Sequence, residues 1–132
     1  MIKKGILKKK LAKGDVCYGH WSFLPYPEII NIVGLSGFDF VVIDMEHSFV
    51  SLENLPNLLN AAAASNITAL VRIPSKDTSN ILRTLDTGAY GIVIPHCENI
   101  EQIKKITKDS KYFPIGSRGM AKSTKSGGYT NK

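Results

Sequence analysis

Apolar and polar positions fall into blocks along this chain, and the blocks switch between helical and strand-like spacing. Ile2, Ile6, Leu7 and Leu11 form a stripe among lysines, which predicts an amphipathic helix over 2–12 that stops at Gly14 and plugs one end of a domain. Val16-Cys17-Tyr18-Gly19-His20-Trp21 reads as a first strand. Pro25 and Pro27 mark a turn and a helix start, with Glu28 in the first turn. Ile29, Ile30, Ile32 and Val33 carry that helix, and Gly34 and Gly37 are expected to end it. Residues 38–44 form a second strand. Ser51 is a candidate cap for a third helix running to about Ala64, with Leu52, Leu55, Leu58, Leu59, Ala62 and Ala63 on its apolar face; Pro56 implies that its regular part starts late or bends.

The alternation continues. Ile67 to Ile73 reads as a third strand. Asp77 or Thr78 caps a fourth helix, with Ile81, Leu82 and Leu85 facing in and Gly88 beyond its end. Tyr90-Gly91-Ile92-Val93-Ile94 is a fourth strand closed by Pro95. A fifth helix spans about 98–109 on Ile100, Ile103 and Ile106, with Lys104, Lys105 and Lys108 towards its C-terminal dipole. From 113 to 132 the pattern stops, and a loop or mobile tail is expected.

A short helix followed by four β-α repeats demands crossovers and a parallel sheet of the α/β class. The unbroken apolar runs suit strands covered on both faces. Two architectures remain open: a small open sheet, or half of a (β/α)8 TIM-type barrel. A whole barrel needs about 250 residues, and this chain has 132, enough for one modest domain over 1–132.

Charge changes this picture little. Seventeen basic and eleven acidic side chains give a net +6, but the lysines crowd the first thirteen and last eleven residues. A solvated helix face is the reading for the first cluster, and no nucleic-acid or membrane contact is expected. No segment approaches the roughly 20 apolar residues of a membrane span. Cys17 and Cys97 have no metal-type spacing, and buried thiols in a reducing, cytoplasmic setting are expected.

The chemistry collects at the strand ends. His20 and Trp21 follow strand one, Asp44, Glu46 and His47 follow strand two, Arg72 ends strand three and His96 follows strand four. In a parallel α/β fold all these ends share one rim, where active sites sit. Histidine exchanges protons near neutrality. A carboxylate pair binds a divalent ion or its waters. An arginine holds a substrate carboxylate or a developing enolate. Together they suggest proton abstraction or aldol-type carbon–carbon cleavage beside a carboxylate or carbonyl.

Six blocks carry a resemblance in order: Gly19-His20-Trp21-Ser22; Gly37 through His47; Leu70-Val71-Arg72-Ile73-Pro74; Leu85-Asp86-Thr87-Gly88-Ala89; Ile94-Pro95-His96; and Tyr112 through Gly119. Over about 15–129 the chain resembles the HpcH/HpaI aldolase/citrate lyase family, in particular its class II pyruvate aldolases. The resemblance implies a metal-dependent (β/α)8 barrel that makes and breaks a bond between pyruvate and an aldehyde. His47 matches the family's acid/base histidine. Arg72 matches the arginine that holds pyruvate and its enolate, with Trp21 beside it in substrate binding. Asp44 and Glu46 match carboxylates that hold the metal's waters. Asp86 matches an aspartate paired with the histidine from a neighbouring subunit. Its place in the last turn of a helix, where the dipole disfavours an acid, puts it at the far end from its own rim.

The chain also departs from the family pattern. The resemblance implies direct metal ligands, a Glu and an Asp, at the ends of a fifth and a sixth strand, beyond residue 132; the ion could be Mg²⁺, Mn²⁺ or Co²⁺. Phe113-Pro114 stands where the family often has two prolines. The expectation is an N-terminal half-barrel that is incomplete alone and works as a homo-oligomer or with a complementing C-terminal half. Its alternative is a non-catalytic half-barrel that acts only by assembly.

Overall fold

A computed structural model describes residues 6–130. Its elements, in order, are α1 (Ile6–Ala12), β1 (Gly19–Ser22), α2 (Pro27–Leu35), β2 (Phe40–Asp44), α3 (Leu55–Ala64), β3 (Thr68–Arg72), α4 (Thr78–Asp86), β4 (Gly91–Val93) and α5 (Ile100–Ser110). All strand pairs are parallel and the spatial order is β1-β2-β3-β4. A doubly wound sheet would reverse its strand order at a switch point. Sequential order is that of a barrel wall, so the fold is the first four β/α units of the barrel type, and the open-sheet alternative falls.

The two faces of the sheet differ. Val41, Ile43, Ala69 and Val71 join Ile30, Leu55, Leu58, Ile73 and Ile81 of the helices and loops in one core. The register puts Gly19 beside Phe40, Trp21 beside Val42 beside Leu70, and Asp44 beside Arg72 on the other face. That is the barrel-interior face. Val42 is only 4% exposed, yet it stands apart from the helix-side core. Phe40 lies across the strand next to it: a Cβ on Gly19 would meet its ring at 2.2 Å. Trp21 remains 40% exposed on this open face.

Several expected boundaries move. Of the predicted first helix, residues 2–5 lie outside the described residues. In the rest only Leu7 is buried, Leu11 being 57% exposed. Ile6 still lines a small cavity of about 40 Å³ with Leu59, Ala62, Ile67 and Thr68, at the entry end of β3, where a plug belongs. β1 starts at Gly19 rather than Val16, which is 74% exposed. β2 starts at Phe40, and just before it the Asp39 carboxylate accepts from the Tyr18 amide at 2.9 Å and from the Lys10 ammonium while its backbone amide donates to the Tyr18 carbonyl. These bonds from Lys10 and the amide hold the Asp39 carboxyl below its ordinary range.

Gly34 does not end α2. It lies inside the helix where a Cβ would meet Ser65 at 2.5 Å, so it permits close contact with the end of α3. The stop comes at Ser36 and Gly37, whose φ of +88° suits glycine. Ser51 does not cap α3; Pro56 sits in its first turn, as expected, and Asn54 precedes it. Ala61 rather than Ala63 is buried there. Asp77 caps α4, accepting from the Asn80 amide at 2.9 Å. α5 buries no residue: Ile100 and Ile103 are exposed and only Ile106 packs on the core.

The thiols are not buried. Cys17 is half-buried and Cys97 exposed, because β1 starts after the first and the second lies in the loop before α5. The stretch 113–130 holds no helix or strand but folds back as a series of turns. Arg118 Nη2 reaches Asp86 Oδ1 at 2.5 Å, Arg118 lies over the Tyr112 ring at 4.6 Å, and Lys125 Nζ donates to Asn60 Oδ1 at 2.7 Å. No helix among the described residues is long and apolar enough to cross a membrane.

Candidate active site

β2 delivers Asp44 to the strand end fully buried. A carboxylate there needs donors to replace water, and it has five. Oδ1 accepts from Arg72 Nε at 3.1 Å and from the amides of Glu46 and His47 at 2.8 and 3.1 Å. Oδ2 accepts from Trp21 Nε1 at 3.0 Å and from Arg72 Nη2. Burial alone would raise the Asp44 pKa most strongly. The bonds from Arg72, Trp21 and the two amides outweigh it and hold the carboxyl well below the usual range. Asp44 thereby shapes the turn that carries the next two residues, and Ser48 Oγ closes that turn on the Asp44 carbonyl.

Arg72 is the ladder partner of Asp44. It grips the carboxylate through Nε and Nη2, presents Nη1 at 3.1 Å to Glu46 Oε2, and stacks over Trp21 with Cζ 5.0 Å from the ring centre. Of its five N–H donors, two bond Asp44, and Nη1 meets Glu46 as an ion pair without a hydrogen bond. The edge between Nη1 and Nη2 therefore keeps a fork of donors suited to a second carboxylate. Its side chain is 19% exposed, enough to be reached.

Glu46, only 9% exposed, sits at the centre of the rim. Its Oε1 lies 3.0 Å from His96 Nε2 and 3.8 Å from His47 Nε2. Its Oε2 is buried without a hydrogen-bond partner, since the Arg72 Nη1 contact is an ion pair lacking hydrogen-bond alignment. His47 is largely exposed.

The strand ends thus bring together Trp21, Asp44, Glu46, His47, Arg72 and His96. His20 does not join them. It alternates with Trp21 on β1, so its ring lies on the helix side, edge-on to Phe38 at 6.2 Å. Asp86 does not join them either. α4 runs back from the rim, so its last residue lies at the entry end of the strands, held by Arg118. His96 has a larger place than its position after a strand implies, and Arg118 anchors Asp86. Neither contact has a local signal, since each bridges distant parts of the chain.

For a divalent ion the donor set is incomplete: among the described residues no three His, Cys, Asp or Glu side chains cluster as metal ligands. Asp44 accepts from five donors and reaches the rest of the site through Arg72, Trp21 and the turn that carries Glu46 and His47. Glu46 Oε2 has no donor, which fits an outer contact to an ion's water.

Comparison with known proteins now adds the lineage. The HpcH/HpaI aldolase/citrate lyase family model matches residues 18–126, and the chain belongs to that family. It is 37% identical over 125 residues to a 4-hydroxy-2-oxovalerate aldolase of Novosphingobium aromaticivorans, covering 92% of this chain and 48% of that protein. It superposes on the citrate synthase SbnG with a TM-score of 0.82 at 40% identity, over 86% of this chain and 46% of that one. An HpcH/HpaI aldolase from Desulfitobacterium hafniense DCB-2 gives 0.82 at 33% identity, over 89% and 46%. The chain spans about half the length of the curated relatives it matches.

Proposed function

We propose that this chain supplies the carboxylate-binding and proton-transfer half of a metal-dependent aldolase that cleaves or forms 4-hydroxy-2-oxoacids from pyruvate and an aldehyde. The observation that carries the reading is the Arg72 guanidinium, fixed by Asp44 and Glu46 with its outer fork left over. That fork holds the carboxylate of the 2-oxo acid against Trp21. His47 takes the proton of the 4-hydroxyl, the C3–C4 bond breaks, and its electron pair passes into the pyruvate enolate as the aldehyde departs. Return of a proton to C3 completes pyruvate. The positive charge of Arg72 stabilises the enolate as it forms. Glu46 would hold a water of the divalent ion, whose direct ligands come from outside these residues; when bound, the ion would polarise the 2-oxo group. In an oligomer, Asp86 of one chain would meet His47 of another.

The open interior face, with β1 and β4 as edges, favours a second element of the reading. Turnover, as distinct from carboxylate binding, needs four further β/α units to cover that face. Without them the chain is a half-barrel that acts by assembly.

The test is pyruvate release from a 4-hydroxy-2-oxoacid with Mg²⁺, Mn²⁺ or Co²⁺, using the 132-residue chain alone and with a chain carrying the remaining units. Weak or no release alone, and metal-dependent release on complementation that His47→Ala or Arg72→Gln abolishes, is expected. Turnover of the lone chain near that of full-length relatives would overturn the half-site claim. No release after complementation would overturn the lyase claim.

A further inference from the structure

His96 is the rim residue that this mechanism leaves unused, and its backbone is unusual. It has φ +54°, in the left-handed region that few non-glycine residues adopt, histidine more readily than most. Such a conformation persists only where its surroundings hold it, and it concentrates at working sites. Here the hold is visible. Lys76 Nζ donates to the His96 carbonyl at 2.7 Å and to Gln102 Oε1 at 3.0 Å, and the same Gln102 oxygen accepts from the Glu98 amide at 3.1 Å. The first turn of α5 and the loop after β3 therefore brace the loop after β4.

The braced loop presents the imidazole to Glu46, with Nε2 3.0 Å from Oε1. A carboxylate oxygen only accepts, so Nε2 carries the proton. The ring is 74% exposed and belongs to no apolar cluster, so packing does not account for its placement. What the contact does is turn Glu46. With Oε1 fixed by His96, the carboxylate directs Oε2 towards Arg72 and keeps Oε1 within reach of the His47 ring.

We propose that His96 is a positioning residue: by donating to Glu46 it sets the orientation in which that carboxylate faces both His47 and Arg72. The functional meaning rests on the aldolase reading of the rim, but the geometric claim does not. Histidine-ring ¹⁵N NMR on the whole chain, above the imidazole titration range, separates the two. His96 is expected in a single Nε2–H tautomer. His96→Phe, which keeps a ring without a donor, is expected to shift the His47 ring signals as Glu46→Gln does. His96→Gln, which restores an N–H donor, is expected to leave them at their wild-type positions. Strand amide signals report that each variant is folded, and Lys76→Met, which releases the loop but not the ring, gives a second route to the same loss. His47 signals unmoved by His96→Phe, or moved as far by His96→Gln, would overturn the proposal. A pyruvate-release assay on the complemented wild-type chain is run beside it; its failure would count against the aldolase reading and leave the NMR result standing.

Discussion

Arg72 and Asp44 are ladder partners on adjacent strands, and they bind edge to edge, Nε lying 3.1 Å from Oδ1 while Nη2 bonds Oδ2. Parallel register puts the two Cα atoms side by side, so the arginine must bend over its neighbour's carboxylate. One contact thus closes the buried end of β2 and aims the remaining guanidinium fork outward.

Asp44 should govern acid stability. Its pKa is lowered by folding, so the stability it contributes is complete above about pH 5 and is lost as pH falls through the unfolded value near 3.9 towards the folded one. Asp44→Asn is expected to cost about 3 kcal/mol at neutral pH, because Arg72 loses its main partner but keeps Glu46. It should also flatten the acid limb of a plot of urea midpoint against pH, and an unchanged limb would count against the assignment.

Arg72→Lys keeps the charge and loses the fork. An ammonium cannot span both Asp44 oxygens and still offer two donors outward. The expected cost is about 1–2 kcal/mol in urea unfolding. Binding of oxamate, a 2-oxo-acid analogue, should weaken by about tenfold or more. Unchanged binding would show that a point charge is enough.

Arg118→Met should release the last stretch while sparing the sheet. Arg118 is 7% exposed and ties residues 113–130 to Asp86 at the end of α4. Hydrogen exchange is expected to quicken across 116–128 and to stay slow in β2 and β3. If protection is lost everywhere, the contact belongs to the global fold instead.

Much of this was legible in the sequence because local rules governed it. The four strands, their helices and the Asp77 cap follow from periodicity and capping. Sequential strand order settled what periodicity could not, whether the sheet was open or barrel-like. The errors arose where distant residues compete. Asp39 reads as part of β2, but its carboxylate ties the strand entry to Lys10 and Tyr18. Gly34 reads as a stop but serves a contact with Ser65. At the rim, residue types picked out most of the side chains that gather there, but not that Asp44 takes five donors, that His20 faces away, or that His96 meets Glu46.

Trp21 supplies the most direct measurement of the central claim, that the Arg72 fork takes a 2-oxo-acid carboxylate. It is the single tryptophan of the chain, its indole donates to Asp44, and Arg72 stacks on its ring. Oxamate titrated into the chain, with and without a divalent ion, is expected to change Trp21 emission along a saturable curve. Arg72→Gln should abolish the saturation and leave only a linear, collisional response. Emission that never saturates in the wild type, or saturates equally in Arg72→Gln, would contradict the account.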